Sequence, residues 1–312
     1  MRVVGIEAGG TKVVCATGSG PDDCSALHRI PTTTPDETIA AVVGHVRTQV
    51  EVAPVDAIGL ATFGPIDLDP TSPTQGHLTT TPKAAWQGVD IVGRLADATG
   101  LPVGFDTDVN GAAIGEHRWG AGTGADNLVY FTVGTGVGGG VIVDGKPVHG
   151  LLHPEVGHLT VRRHPDDDHE GSCRFHGDCL EGLSAGPSLE ARFGRRGEEL
   201  AGDDLRRAVE FVAFTMAQAV VAVTYVVSPH RVIVGGGVSE LPGLRPALRA
   251  AISRLLAGAL ASPVLAGDLA DYVVAPALGA RSGVLGAIAL GARAATGAPG
   301  VPTTDEGTEY AG

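Results

Sequence analysis

Apolar residues open the chain in two short runs, Val3–Ile6 and Lys12–Thr17, separated by Ala8-Gly9-Gly10-Thr11. Runs of that length around a glycine pair predict two strands joined by a tight turn. A third strand is expected near Ala26–Ile30, followed by a helix from Pro35 to about Val50, where Thr34 can cap and Pro35 suits the first turn. Ala57–Thr62 reads as a strand ending at Phe63-Gly64-Pro65, and Thr71–Gln87, rich in Thr, Pro and Gly, reads as loop. Ile91–Ala98, Val103–Phe105 and Val109–Trp119 then alternate between helical and extended patterns, which predicts a mixed α/β domain.

Leu128–Val133, the glycine run Gly134–Gly140 and Val141–Val143 repeat the opening order of strand, glycine turn with Thr, and strand. The repetition predicts two halves of the same topology facing each other. Asp204–Val227 reads as a long helix halted by Ser228-Pro229, and Arg231–Val234 as a strand running into another glycine turn. A helix at Arg245–Leu256, a strand at Tyr272–Ala275 and a helix at Arg281–Ala294 follow, and the tail 296–312 is expected to be disordered. Phe211–Val227 carries no charge, but Thr215, Gln218 and Thr224 interrupt it and Arg206, Arg207 and Glu210 precede it. It reads as a covered core helix and not a membrane span.

Composition narrows the function. The 312 residues suffice for two domains, and 43% hydrophobic content with only 4% aromatics implies an aliphatic core. A net charge of −13 argues against nucleic-acid binding, which needs clustered Lys and Arg. No secretion signal follows Met1-Arg2, and four cysteines make no disulfide framework in a chain of this size, so a cytoplasmic location is expected.

The most unusual stretch is Glu155–Glu181, which holds two of the four cysteines and four of the eleven histidines. Cys173, His176 and Cys179 stand three apart, so a short loop can aim two sulfurs and an imidazole at one point, a set that suits zinc. A fourth ligand must come from farther away, with His153, His158, His164 and His169 as candidates; the plain alternative is two free thiols among solvated histidines. Three glycine turns follow strands, at Gly9, Gly134 and Gly235, and each can offer backbone N–H groups to a phosphate or simply make a tight turn. Gly134-x-Gly136-x-x-Gly139 fits the dinucleotide fingerprint in letters, but a strand pattern follows it where a helix is required, and no Walker-type loop occurs. Asp106-Thr107-Asp108-Val109-Asn110 lies where a strand gives way to a helix, so Asp108 is either a general base or an N-cap. Lys83, a lone cation in a polar loop, reads as a solvated side chain.

Glu7-Ala-Gly-Gly-Thr-Lys12, Gly64-Pro65, Asp108-Val-Asn110, Gly134-Thr-Gly136-Val-Gly138, Glu155-Val-Gly-His158, the Cys/His cluster closing at Glu181, and Gly235-Gly-Gly-Val238 together resemble the successive motifs of the ROK family. That family comprises bacterial sugar kinases and repressors with the actin-like (ribonuclease H-like) ATPase fold. Glu7 in place of the usual Asp, Thr81–Trp86, and the Cys-x-x-His-x-x-Cys spacing are similar to its zinc-containing fructokinases.

The resemblance implies a two-domain α/β fold around a central cleft, with residues 1–115 plus 282–295 as the smaller domain and 116–281 as the larger. It implies ATP-dependent phosphorylation of fructose on its 6-hydroxyl, with Asp108 as general base. Gly9, Gly10, Thr11 and Lys12 would surround the transferred phosphoryl group, Glu7 would sit near Mg²⁺, and Thr135 and Gly136 would form the facing phosphate turn. Gly235, Gly236, Gly237, Val238 and Ser239, with Pro187, would lie along the adenosine. Gly64, Asn110, Glu155, His158 and Glu181 would bind the sugar. His158 would also complete a zinc site with Cys173, His176 and Cys179, closed by four protein ligands and therefore structural. ATP, Mg²⁺ and Zn²⁺ are thus the implied cofactors, with homodimers common in the family. Glucose, mannose or an N-acylhexosamine is the alternative substrate. A sugar-sensing repressor would need a DNA-binding segment ahead of Val3.

Overall fold

The computed structural model describes residues 1–297, and two compact units emerge: Met1–Asp106 with the segment from Ala287, and Thr107–Gly286. The expected disordered tail lies outside the described residues, apart from Thr296 and Gly297, which form a turn.

In the first unit β1 (Val3–Ala8) and β2 (Lys12–Gly18) form the expected hairpin, paired from Val3↔Gly18 to Ala8↔Val13. β3 (His28–Pro31) extends it antiparallel, starting two residues later than the sequence pattern suggests. Helix α1 (Pro35–Val52) begins where the Thr34 hydroxyl accepts from Glu37 N, which satisfies one first-turn donor. β4 (Ala57–Thr62) pairs parallel with β1. Helix α2 (Ile91–Thr99) is capped by Asp90 and stopped by Gly100 in the left-handed region at φ 68°. β5 (Val103–Thr107) completes the sheet in the order β3-β2-β1-β4-β5. Ile39, Val42, Val46, Ile91 and Leu95 bury the two helices against the apolar side chains of β1 and β4.

The second unit repeats this plan. Helix α3 (Asp108–Trp119) precedes β6 (Leu128–Val133), β7 (Val137–Val143) and β8 (Lys146–Pro147); after the metal-loop region come α4 (Leu180–Ser184), α5 (Gly186–Phe193) and α6 (Gly202–Val227). β9 (Arg231–Gly235), α7 (Leu244–Leu256), α8 (Pro263–Ala266), β10 (Val273–Val274) and α9 (Ser282–Ala295) follow. The strand order β10-β9-β6-β7-β8 has the same connectivity as the first sheet: a central strand, its hairpin on one side, a parallel partner on the other. The internal duplication read from the glycine turns is therefore a duplication of topology. The fold class is α/β, as expected.

β7 starts at Val137, four residues earlier than the sequence pattern implies. Gly138, Gly139 and Gly140 are not turn but strand, paired with Thr132, Phe131 and Tyr130. The reason is steric, because a Cβ on Gly140 would collide with the carbonyl of Val109 and one on Gly138 with the Val109 side chain. Helix α3 lies directly on the strand, and only glycine lets the two backbones come that close. Helix α9 uses the same device. A Cβ on Gly286 would strike the carbonyl of Gly111, and within the first unit one on Gly59 would strike the carbonyl of Ala287.

Helix α6 is the one described helix long and apolar enough to cross a membrane, and 61% of its most apolar stretch is buried inside the protein. Phe211, Val212, Met216 and Val220 pack into the second unit's core, each contributing about 1.5–3 kcal/mol. Its polar residues have partners: Thr215 with Ser184 at 2.6 Å, Thr224 with Tyr272 at 2.8 Å, and Gln218 with both backbone groups of Arg162.

Sequence reading gave no role to Glu116, yet it is fully buried and accepts from Ala121 N, Ala277 N, Leu278 N and Ser282 Oγ at 2.6–3.0 Å. One carboxylate thus satisfies four donors from three segments. Glu116→Ala strands all of them and is expected to cost about 3 kcal/mol or more, read as a lower urea midpoint at unchanged m-value.

Candidate active site

The Glu155–Glu181 segment contains little regular structure; Val156–His158 makes a single 3₁₀ turn. Long-range contacts hold the remainder. Cys173 and Gly177 exchange backbone hydrogen bonds at 3.1 and 2.9 Å, and Leu180 N donates to Leu159 O. Asp167 forms a buried, two-pronged ion pair with Arg192 at 2.9 and 2.8 Å. Sequence reading missed that pair, since nothing in the local pattern joins a loop Asp to an Arg on α5.

The result is a four-residue cluster. One ligand atom each from His158, Cys173, His176 and Cys179 lies within 4.8 Å of the others. His158 Nδ1 is 3.6 Å from Cys179 Sγ and 3.8 Å from Cys173 Sγ, and His176 Nδ1 is 3.9 Å from Cys173 Sγ. A tetrahedral zinc with ordinary bond lengths needs S···N edges of about 3.6 Å, so the donor set and its spacing fit that ion. Burial, with Cys173 beside it, pushes the Cys179 thiol up to about 11, and a divalent cation is the group that would hold such thiols ionised. His153, His164 and His169 lie outside the cluster. His153 Nδ1 sits 3.3 Å from Glu155, His164 lies between Asp166 and Glu210, and His169 meets Ser172. Phe175 packs edge-on against His158 at 5.9 Å.

Beside the cluster stand three carboxylates. Asp108 is not the N-cap of α3. Thr107 takes that role, its hydroxyl accepting from Asn110 N at 3.1 Å, which leaves Asp108 as the first helical residue. Burial raises the Asp108 carboxyl to about 6, although the Val109 amide, donating at 2.9 Å, pulls the other way. Glu155 is pushed up to about 7, first by burial and then by the negative charges of Asp108 and Glu181. Glu181, in the first turn of α4, accepts from Val137 N at 3.1 Å, and a Cβ on Gly136 would approach its Oε2 to 2.7 Å. Asn110 is buried, with Nδ2 3.5 Å from His149 Nε2.

The second unit's glycine turns are adjacent. Gly134 N closes on Gly136 O, and Gly186 N donates to Gly134 O at 2.7 Å, so Pro187 at the start of α5 sits against the turn bearing Thr135. Gly134 also faces the Gly237 amide. Gly236 is left-handed at φ 89°, and a Cβ there would collide with the backbone of Val133. Ser239 Oγ donates back to Gly236 O at 2.7 Å, and Val238 is buried beneath the turn.

In the first unit, Gly9, Gly10, Thr11 and Lys12 form the β1–β2 turn, with Gly9 N bonded to Lys12 O and Thr32 Oγ1 to Gly9 O. Glu7 lies on β1 opposite Val14, and Gly64 follows β4. Lys83, expected as a solvated cation, stands beside this turn. The side chain is half-buried, and its Cε lies 3.4 Å from where a Gly10 Cβ would be.

The model of the ROK family matches residues 3–294. A fructokinase of Zymomonas mobilis is 42% identical over 288 residues, covering 91% of this chain and 94% of that one. A fructokinase of Lactococcus lactis subsp. cremoris is 45% identical, covering 77% of this chain and 80% of that one. The crystal structure of a ROK hexokinase from Thermus thermophilus superposes with a TM-score of 0.76 at 30% identity, covering 94% and 98% of the two chains.

If the cluster holds zinc, Cys179→Ser removes one of two thiolate ligands. Bound zinc measured by atomic emission is then expected to fall well below one per chain, and the melting temperature to fall with it. A folded, metal-free wild-type protein of unchanged melting temperature would contradict this.

Proposed function

This chain belongs to the ROK family, and from that membership we propose that it is a sugar kinase transferring the γ-phosphoryl group of ATP to the 6-hydroxyl of fructose. The observation that carries this reading is the 42% identity to a fructokinase along nine-tenths of both chains. The convergence of Asp108, Glu155 and Glu181 beside the Cys/His cluster supports it, because a polyhydroxy substrate needs several fixed acceptors.

Asp108 is the general base. A carboxyl at about 6 is ionised at neutral pH and still basic enough to take a proton in the transition state. As the sugar O6 bonds to the γ-phosphorus and the bond to ADP breaks, the hydroxyl proton passes to Asp108 and then to solvent. Glu155, held near 7, can accept from or donate to a sugar hydroxyl. Glu181, Asn110 and Gly64 complete the sugar contacts, together with His158, whose Nε2 is free for this while Nδ1 faces the sulfurs.

In the first unit the Gly10 and Thr11 amides, with Gly9 and Lys12 beside them, are assigned to the transferred phosphoryl group, and in the second the turn at Thr135 and Gly136 is assigned to the ATP phosphates. Pro187 and Gly235 to Ser239 line the adenosine. Glu7 is the residue assigned to the hydration shell of a magnesium ion, which would enter with ATP and neutralise phosphate charge. His158, Cys173, His176 and Cys179 would hold a zinc ion that stiffens the Glu155–Glu181 loop, and four protein ligands would leave it no part in the chemistry. A kinase using cellular ATP works in the cytoplasm.

In an ADP-coupled assay across fructose, glucose, mannose and N-acetylhexosamines, fructose is expected to give the highest kcat/KM. A higher value for any other sugar would overturn the substrate assignment. Asp108→Asn is expected to lower kcat by about 10²–10⁴-fold with fructose still bound. Because the base must be ionised, wild-type kcat/KM should fall as pH drops through about 6.

A further inference from the structure

Lys83 is the one residue that sequence reading set aside and the fold brings next to proposed phosphate-binding machinery. It sits in a segment fixed from both sides. Trp86 is buried, stacks edge-on against Phe63 at 5.4 Å and donates its indole N–H to Thr33 O at 3.1 Å. Gln87 Nε2 holds Thr81 O at 2.9 Å, and Trp86 N closes the turn on Lys83 O at 2.8 Å. Phe63 N is in turn bonded to Ala8 O, at the end of the strand that leads into the glycine turn. These anchors all belong to the first unit and place Lys83 Cε over Gly10.

Two features make this placement chemical. Among the described residues, neither the Gly10 nor the Thr11 amide donates to a backbone carbonyl. Among those residues the Lys83 ammonium likewise forms no ion pair or hydrogen bond, and the residue is only partly exposed. A lysine whose stem passes over Gly10, beside a turn with two open amides and with no carboxylate paired to it, offers an anion site. A phosphoryl group is an anion the turn can serve, and lysine binds phosphate as a point charge without the fixed fork of arginine.

We propose that Lys83 is a catalytic residue whose ammonium contacts the phosphoryl group undergoing transfer at the Gly9–Lys12 turn. The proposal rests on the kinase reading above. As the group passes from ADP to the sugar oxygen, negative charge spreads over its equatorial oxygens, and a fixed cation there stabilises the transition state more than bound ATP.

The test compares Lys83→Met and Lys83→Arg with wild type, on whichever hexose the wild-type enzyme turns over fastest. A sugar other than fructose would overturn the substrate assignment and leave this test intact. Lys83→Met is expected to lose more than about tenfold in kcat, with the Kd for ATP and the KM for sugar within about threefold and an unchanged melting temperature. Lys83→Arg, which keeps the charge, is expected to recover most of that loss. A loss below about tenfold in Lys83→Met, or equal losses in both variants, would overturn the proposal.

Discussion

Much of the second unit turns on one imidazole. His158 directs Nδ1 at two sulfurs, 3.6 and 3.8 Å away, and so its ring cannot rotate without giving up both contacts. That constraint fixes the 3₁₀ turn Val156–His158 and, one residue earlier, Glu155. At the other end of the same loop Cys179 is the N-cap position of α4, so the cluster also sets where the helix starts and, in its first turn, where Glu181 lies. Glu155 and Glu181 are therefore positioned from one centre. In a loop with so little regular structure, fixing each residue costs about 1–2 kcal/mol in backbone entropy, a cost that the Asp167–Arg192 pair meets only in part. A metal held by the four Cys/His ligands only in the folded state would offset that cost.

The carboxylates explain why such rigidity is useful. Like charges held together resist ionisation, and Glu155 feels both Asp108 and Glu181. Asp108 experiences the opposite pull of a helix N-terminus, where the Val109 amide and the α3 dipole favour its charge while burial opposes it. The balance leaves one acid poised near 6 and another near 7. Under the proposed function, the division of labour between a base and a ligand follows from environment and not from residue type.

The hairpins and the duplicated order were legible because apolar runs bounded by glycine have few alternatives. Cys173, His176 and Cys179 were legible from their spacing, whereas His158, distant in sequence, was one of several candidates that only the family resemblance singled out. Gly138 to Gly140 misled for a physical reason: glycine marks close backbone approach as often as a turn, and the approaching partner, Val109, lies on another element. Choosing between Asp108 and Thr107 as cap depended on a register of one residue, which no pattern fixes. Glu116, Arg192 and Lys83 were unreadable because their meaning lies in partners that only the folded chain assembles.

The most direct test of this division between scaffold and chemistry is calorimetric: fructose affinity measured on wild type, on Asp108→Asn, and on wild type stripped of metal but still folded. Asp108→Asn is expected to bind fructose within about threefold of wild type, because the base acts only as charge develops. The metal-stripped protein is expected to lose at least about tenfold, because Glu155 and His158 lose their common support. Metal-free protein that binds fructose as tightly as wild type would contradict the claim that the cluster orders the sugar site.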